Sequence, residues 1–231
     1  MRIRELYPNH RGNLDETEAV YENLYTSLTG KQSDARQERA KKAINGKLRE
    51  YFVAPHQRIL KSEFADFCSI MSNAKNEEQV FQFIVQKPYF LTRMLYPGNH
   101  GTIFIPKPKL GSELIPDFLT ASFDSSGLWW YGVELESPTE RMFNRDADQS
   151  ATLTHALRQV QDWRRWLTNN ISYARNELGF ADIVGDLPCI VLIGTRENER
   201  VPQPRLRGRT RGVITNDKHG LILHHYDWLL E

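Results

Sequence analysis

The sequence predicts an α/β fold, a mixed sheet with helices on both faces, preceded by a helical N-terminal region. Three observations point there. Beyond residue 76, strand-like segments (GTIFIPKP, ELIPDFLTASF, LWWYGVELES) precede a long amphipathic helix, and another strand-like run follows it. That run, PCIVLIGT, is short and continuously apolar, the pattern of a strand buried on both faces. Between the second and third strands, DSSG at 124–127 is a good four-residue turn, with Asp at the first position and Gly at the last.

The elements follow in order. Residues 14–30 predict a polar helix with Val20, Leu24 and Leu28 at four-residue spacing. Residues 33–52, rich in Lys, Arg and Ala, predict a second helix. Residues 57–71 predict a third, with Ile59, Leu60, Phe64, Phe67 and Ile70 on one side. SNAKN at 72–76 breaks the pattern and divides a helical region, 1–72, from an α/β domain, 73–231. NEEQVFQFIVQKPYFLTRML opens a helix with Asn76 as N-cap and two acids in its first turn; Pro88 interrupts or ends it. GTIFIPKP is a short strand closed by prolines. A helix over 150–177 carries the apolar stripe Leu153, Leu157, Val160, Leu167 and Ile171. GLILHHYDWLLE ends the chain as a strand leading into a turn.

Composition narrows the function classes. The chain has 231 residues, 40% hydrophobic and 26% charged, enough for one large domain or a domain with an appendage. No apolar run approaches the ~18 residues of a membrane span. The opening MRIRELYPNHRG lacks the apolar stretch of a signal peptide. Cys68 and Cys189 are the only cysteines and sit in unrelated contexts, so neither a disulfide nor a Cys-based zinc site is expected, and a cytoplasmic location fits. His56, His155, His219, His224 and His225 share no metal-ligand spacing. The net charge of +1 does not announce a nucleic-acid binder, although an acidic metal site would offset basic patches elsewhere. Arg196, Arg200, Arg205, Arg207, Arg209 and Arg211 crowd one short segment, read either as a solvated loop or as a phosphate-tracking surface together with Arg164 and Arg165.

The hairpin carries the chemistry. If Ser125 and Ser126 are the loop, Phe123 pairs with Leu128, Ala121 with Trp130, and Asp117 with Glu134. Directly opposed Cβ atoms lie about 5 Å apart. Glu136 shares a face with Glu134, while Leu135 points to the other. Three carboxylates so placed repel one another unless one protonates or a cation sits among them. An all-oxygen ligand set suits Mg²⁺ or Mn²⁺. A wet, polar edge hairpin is the plainer alternative. On the long helix, HALRQVQDW puts Gln159 and Trp163 one turn apart, so Gln159 either flanks the carboxylates or faces solvent. Glu77, at the start of the helix after Asn76, shares the side of Val80, Phe81 and Ile84; helix-dipole compensation is its ordinary role.

These pieces resemble the PD-(D/E)XK nuclease superfamily, and most closely the Shedu-type nuclease domain of bacterial antiphage defence. The similarity covers about residues 73–231 and rests on NEEQVFQFIVQKPYFL, LIPDFLTA with its literal Pro116-Asp117, WWYGVELESP, HALRQVQDW, CIVLIGTR and HHYDWLL. The resemblance implies a restriction-endonuclease-like α/β/α sandwich and Mg²⁺-dependent hydrolysis of phosphodiester bonds in DNA. It implies Asp117, Glu134 and the carbonyl of Leu135 as metal ligands, Gln159 as an accessory residue, and Glu77 as the acid of the first core helix. Position 136 normally holds the motif lysine; here it is Glu136, which supplies no positive charge and could act instead as a general base or hold a second cation. Lys107 or Lys109, just upstream of the hairpin, could reach the site. By analogy with such defence proteins, the N-terminal helices would either scaffold a homo-oligomer or sense DNA ends. The missing lysine leaves an alternative open, a degenerate nuclease fold that binds nucleic acid or a partner protein without cutting.

Overall fold

A computed structural model describes residues 42–44, 46–53, 58–96, 101–124, 127–199 and 201–231. The helix expected over 14–30 lies outside them, as does most of the one expected over 33–52. The end of the latter is a 3-10 turn, Arg49–Tyr51, running into a short strand, β1 (Phe52–Val53). Helix α1 (Lys61–Asn73) takes the place of the expected 57–71. Pro88 divides the next helix into α2 (Glu78–Gln86) and α3 (Tyr89–Leu95), serving as the N-cap of α3 because it has no N–H to lose there. The N-cap of α2 is Glu77 rather than Asn76.

The remaining elements are β2 (Thr102–Pro106), β3 (Phe118–Asp124), β4 (Gly127–Leu135), α4 (Ala151–Asn169), α5 (Ile171–Asn176), β5 (Cys189–Leu192), α6 (Gln203–Asn216), β6 (Leu221–His224) and a final 3-10 turn, Tyr226–Leu230. Ser150 caps α4, its hydroxyl accepting the Leu153 N–H at 3.0 Å. The helix expected over 150–177 breaks at Asn170, whose backbone (φ −124°) leaves the helical region. Helix α6 falls where the arginine-rich segment had been read without secondary structure.

Among the described residues six strands form one mixed sheet in the order β1-β2-β3-β4-β5-β6. The first four are antiparallel; β4, β5 and β6 are parallel. Two crossovers, through α4 and α6, make the parallel part. Strand β5 sits between two parallel neighbours and is buried throughout, as its continuous apolar run requires. Alternation along the strands divides the core in two. Leu119, Ala121, Leu128, Trp130 and Val191 face α4 and α6. Phe104, Phe118, Val133, Leu135 and Ile190 face α1, α2, α3 and the C-terminal turn. Among the described residues no helix is long and apolar enough to cross a membrane.

Gly132 leaves room beneath α4 for Leu187 and the Cys189 thiol. A Cβ there would meet Leu187 Cδ2 at 3.0 Å, Cys189 Sγ at 3.1 Å and Trp163 Cε3 at 3.6 Å. Gly132→Val should overpack this contact and cost about 1–3 kcal/mol, read from urea denaturation. Unchanged stability would mean that Leu187 and Cys189 pack less closely on β4.

Candidate functional site

The site lies where β3 begins and β4 ends. The ladder runs Asp124↔Gly127, Phe123↔Leu128, Ala121↔Trp130, down to Phe118↔Val133. This is the register expected from the DSSG turn, and its next rung brings Asp117 beside Glu134. Pro116 offers no N–H, so regular pairing stops there. Beyond that point the Asp117 side chain acts as the missing strand partner: its Oδ2 accepts the Leu135 N–H at 2.7 Å. Its own carbonyl accepts the Lys107 N–H at 2.8 Å. Leu135 thus stands at the end of β4 with its amide turned to Asp117.

Both carboxylates are buried, Asp117 at 5% exposure and Glu134 at 6%. Burial raises the pKa of Asp117, against the pull of the Lys107 ammonium and the Leu135 amide. Glu134 is pushed well up, by burial first and then by the charges of Asp117 and Glu136. The Gln159 amide, projecting from α4, lies beside Glu134 and works against that rise. Two buried oxygens nearby, Glu134 Oε2 and Gln159 Oε1, have no hydrogen-bond partner among the described residues. Each unpartnered buried acceptor costs about 1–3 kcal/mol.

Glu136 follows β4 into the loop. Its N–H donates to the Leu192 carbonyl at 2.8 Å, and its carbonyl accepts the buried Tyr226 hydroxyl at 2.7 Å. Its carboxylate lies 3.9 Å from His155 Nδ1. Burial, then the charges of Glu77, Asp117 and Glu140, raise its pKa from the ordinary 4.5 to about 7. Glu77 is exposed at the N-terminus of α2, not turned toward the core beside Val80, and it makes no capping hydrogen bond. Its charge is nonetheless felt at both Asp117 and Glu136, which puts it on the rim of the same site.

The structure therefore gathers Asp117, Glu134, Glu136 and Gln159, with Glu77 at the edge. Two further residues join them: Lys107, one of the two upstream lysines expected within reach, and Tyr226, to which the sequence assigns no role. Tyr226 anchors the Glu136 backbone, a contact that nothing in HHYDWLL announces. Lys107 pairs its ammonium with Asp117 Oδ1 and lies 4.6 Å from the centroid of the Phe81 ring. Its backbone is left-handed (φ 47°), a conformation costing a non-glycine residue about 1–2 kcal/mol.

The arginines divide sharply. Arg164 is buried and spent on structure, donating to the Leu187 carbonyl, Asp217 and the His219 carbonyl, so it is withdrawn from any phosphate. Arg165 pairs with Asp162, and Arg196 with Glu231. Arg200 lies outside the described residues. Arg205, Arg207, Arg209 and Arg211 stand exposed on α6 without an ion-pair partner among the described residues. They form two i,i+4 pairs of like charge, and Gly208 and Gly212 face open space between them. The signals for this helix were present: Pro204 in its first turn, and Leu206, Val213 and Ile214 at helical spacing.

Among the described residues no group of three or more His, Cys, Asp or Glu side chains forms a ligand set by itself. Mg²⁺ does not need one, since it binds through one or two carboxylates and completes its shell with waters and substrate oxygens. Asp117 and Glu134, with two unpartnered oxygens beside them, suit that requirement. Comparison of the sequence with family models and with curated proteins finds no match to either.

Without a divalent cation, Asp117, Glu134 and Glu136 all hold protons more tightly folded than unfolded. Between pH 4.5 and about 7 the folded state therefore carries more protons, and stability falls as pH rises through that window. The groups facing Glu136 are Glu77, Asp117, Glu134, Glu140 and His155. In EDTA, Glu136→Gln should raise stability above pH 7 by about 1–2 kcal/mol and flatten the melting-temperature profile, with no gain below pH 4.5. Parallel profiles for the two proteins would contradict this.

Proposed function

We propose that the chain is a metal-dependent nuclease with a restriction-endonuclease-like core, similar to the PD-(D/E)XK superfamily and its Shedu-type defence members. The observation that carries the reading is the buried Asp117–Glu134 pair, with Glu134 Oε2 and Gln159 Oε1 left without donors in the same place. Two buried oxygens without donors, one of them a carboxylate's, suit a cation. Mg²⁺ or Mn²⁺ held there by Asp117, Glu134 and the Leu135 carbonyl would polarise a phosphodiester and lower the pKa of a bound water.

The protein's own contributions follow from the geometry. The Leu135 amide fixes one Asp117 oxygen and aims the other into the site. Gln159 orients Glu134. Glu136, half-protonated near pH 7, accepts a proton from the attacking water in its ionised form. The four arginines on α6 would meet the sugar-phosphate backbone of DNA, giving affinity that weakens with salt and reads little sequence. Cytoplasmic placement and a homo-oligomer belong to the same reading. A second reading rests on Glu136: with no lysine at that position, the domain would bind nucleic acid or a partner protein without cutting it.

Asp117→Asn and Glu134→Gln keep the shape of each side chain and remove its charge. Each should lower Mg²⁺- or Mn²⁺-dependent cleavage of plasmid DNA by roughly a hundredfold or more, since each removes charge that stabilises the transition state. Full activity in either variant would sink the site assignment. DNA binding with no cleavage by the unmodified chain would favour the second reading.

A further inference from the structure

Lys107 occupies a position that its fold does not require of a lysine. It lies between Pro106 and Pro108, and a following proline disfavours the right-handed helical region for the residue before it. Its backbone is left-handed, and its N–H is tied to the Asp117 carbonyl at 2.8 Å. Its side chain is 48% exposed and fills no part of either core. What this strained turn achieves is to bring an ammonium back onto the residue that holds its backbone. Backbone and side chain of Lys107 both end on Asp117.

The consequence lies in how the Asp117 oxygens are shared. Oδ2 is taken by the Leu135 amide, an integral part of the β4 terminus. Oδ1 is the oxygen left for a ligand, and Lys107 holds it. A divalent cation binding Asp117 through this oxygen would meet the ammonium there, where the two positive charges repel. The ammonium already lies over the Phe81 ring, 4.6 Å from its centroid, a cation–π contact it can keep when it leaves Asp117. Acids around the site keep the lysine charged: burial works against the ammonium, but Asp117, Glu134 and Glu78 outweigh it.

We infer that Lys107 is the resident counter-ion of the Asp117–Glu134 pair, displaced from Asp117 Oδ1 when a divalent cation binds and then supplying, from the rim, the positive charge that position 136 lacks. This rests on the metal-binding reading above. It makes Lys107 a positioning residue with two opposite effects. It weakens the affinity of the empty site for metal, and it strengthens the loaded site's grip on a phosphate.

The opposite signs give the test. Mn²⁺ alone is titrated calorimetrically, at alkaline pH, into the full chain, into Lys107→Met and into Lys107→Arg. Lys107→Met should bind Mn²⁺ roughly tenfold more tightly, the size of one charge-assisted hydrogen bond released. At saturating Mn²⁺ the same variant should cleave plasmid DNA more slowly, and Lys107→Arg should restore both values toward those of the unmodified chain. A lysine with a merely structural role would lower metal affinity when removed, so equal or weaker Mn²⁺ binding by Lys107→Met overturns the inference while leaving the metal site standing. Tighter binding with undiminished cleavage overturns the second effect. Binding by neither protein overturns this inference and the metal-dependent reading together. Lys107→Gln, also neutral, repeats the measurement if the Met variant does not fold.

Discussion

The register of β3 on β4 is the constraint from which the site follows. With Phe118 opposite Val133, Asp117 and Glu134 form the next rung and have nowhere to separate. A slip of one residue would turn one of them to the opposite face of the sheet. The register is held from both sides. Phe118 and Val133 pack against α1, α2 and α3, while Leu119 and Trp130 pack beneath α4. The carboxylates stay together because separating them would expose both cores. The Asp117–Leu135 hydrogen bond then fixes the direction in which the pair opens.

Bringing two buried acids together creates an electrostatic debt that the neighbourhood only partly relieves. Lys107 and the Leu135 amide neutralise much of Asp117. Glu134 is less well served, with the Gln159 amide beside it, one oxygen without a partner among the described residues, and negative neighbours at 117 and 136. A structural cluster would be expected to satisfy such a group or to replace it with an apolar one. Retaining it suits a site whose remaining positive charge arrives from outside. Helix α6 shows a similar imbalance. Like-charge i,i+4 arginines and two exposed glycines each weaken an isolated helix, and none of them fills a core. A polyanionic ligand would relieve the arginine repulsion.

Much of this was legible in the sequence, and the reasons for the exceptions are physical. Strand β5 could be read from its apolar run, and the hairpin from DSSG, because burial and turn chemistry are local. The Asp117–Glu134 pairing followed from counting outward from that turn. The position of Gln159 on α4 needed only helical spacing. Residues whose role depends on a distant partner were not legible. Arg164 looks like any helical arginine until the Leu187 carbonyl and Asp217 are placed beside it. The Lys107 contact depends on a left-handed turn between two prolines, and the Tyr226 hydroxyl reaches Glu136 across the sheet. Helix α6 was hidden by its own composition, since two glycines and four arginines obscure the apolar spacing of Leu206, Val213 and Ile214. The break at Asn170 and the cap at Glu77 are displacements at element ends, where local preferences differ least.

The central claim is that Asp117 and Glu134 together form a cation site. Crystals grown with Mn²⁺ and measured for its anomalous scattering test this most directly. A cation site there gives a peak between Asp117 Oδ1 and Glu134 Oε2, with the Lys107 ammonium moved off Asp117 Oδ1. Crystals containing Mn²⁺ at full concentration, with no peak between these carboxylates and Lys107 still bound to Asp117, would contradict it.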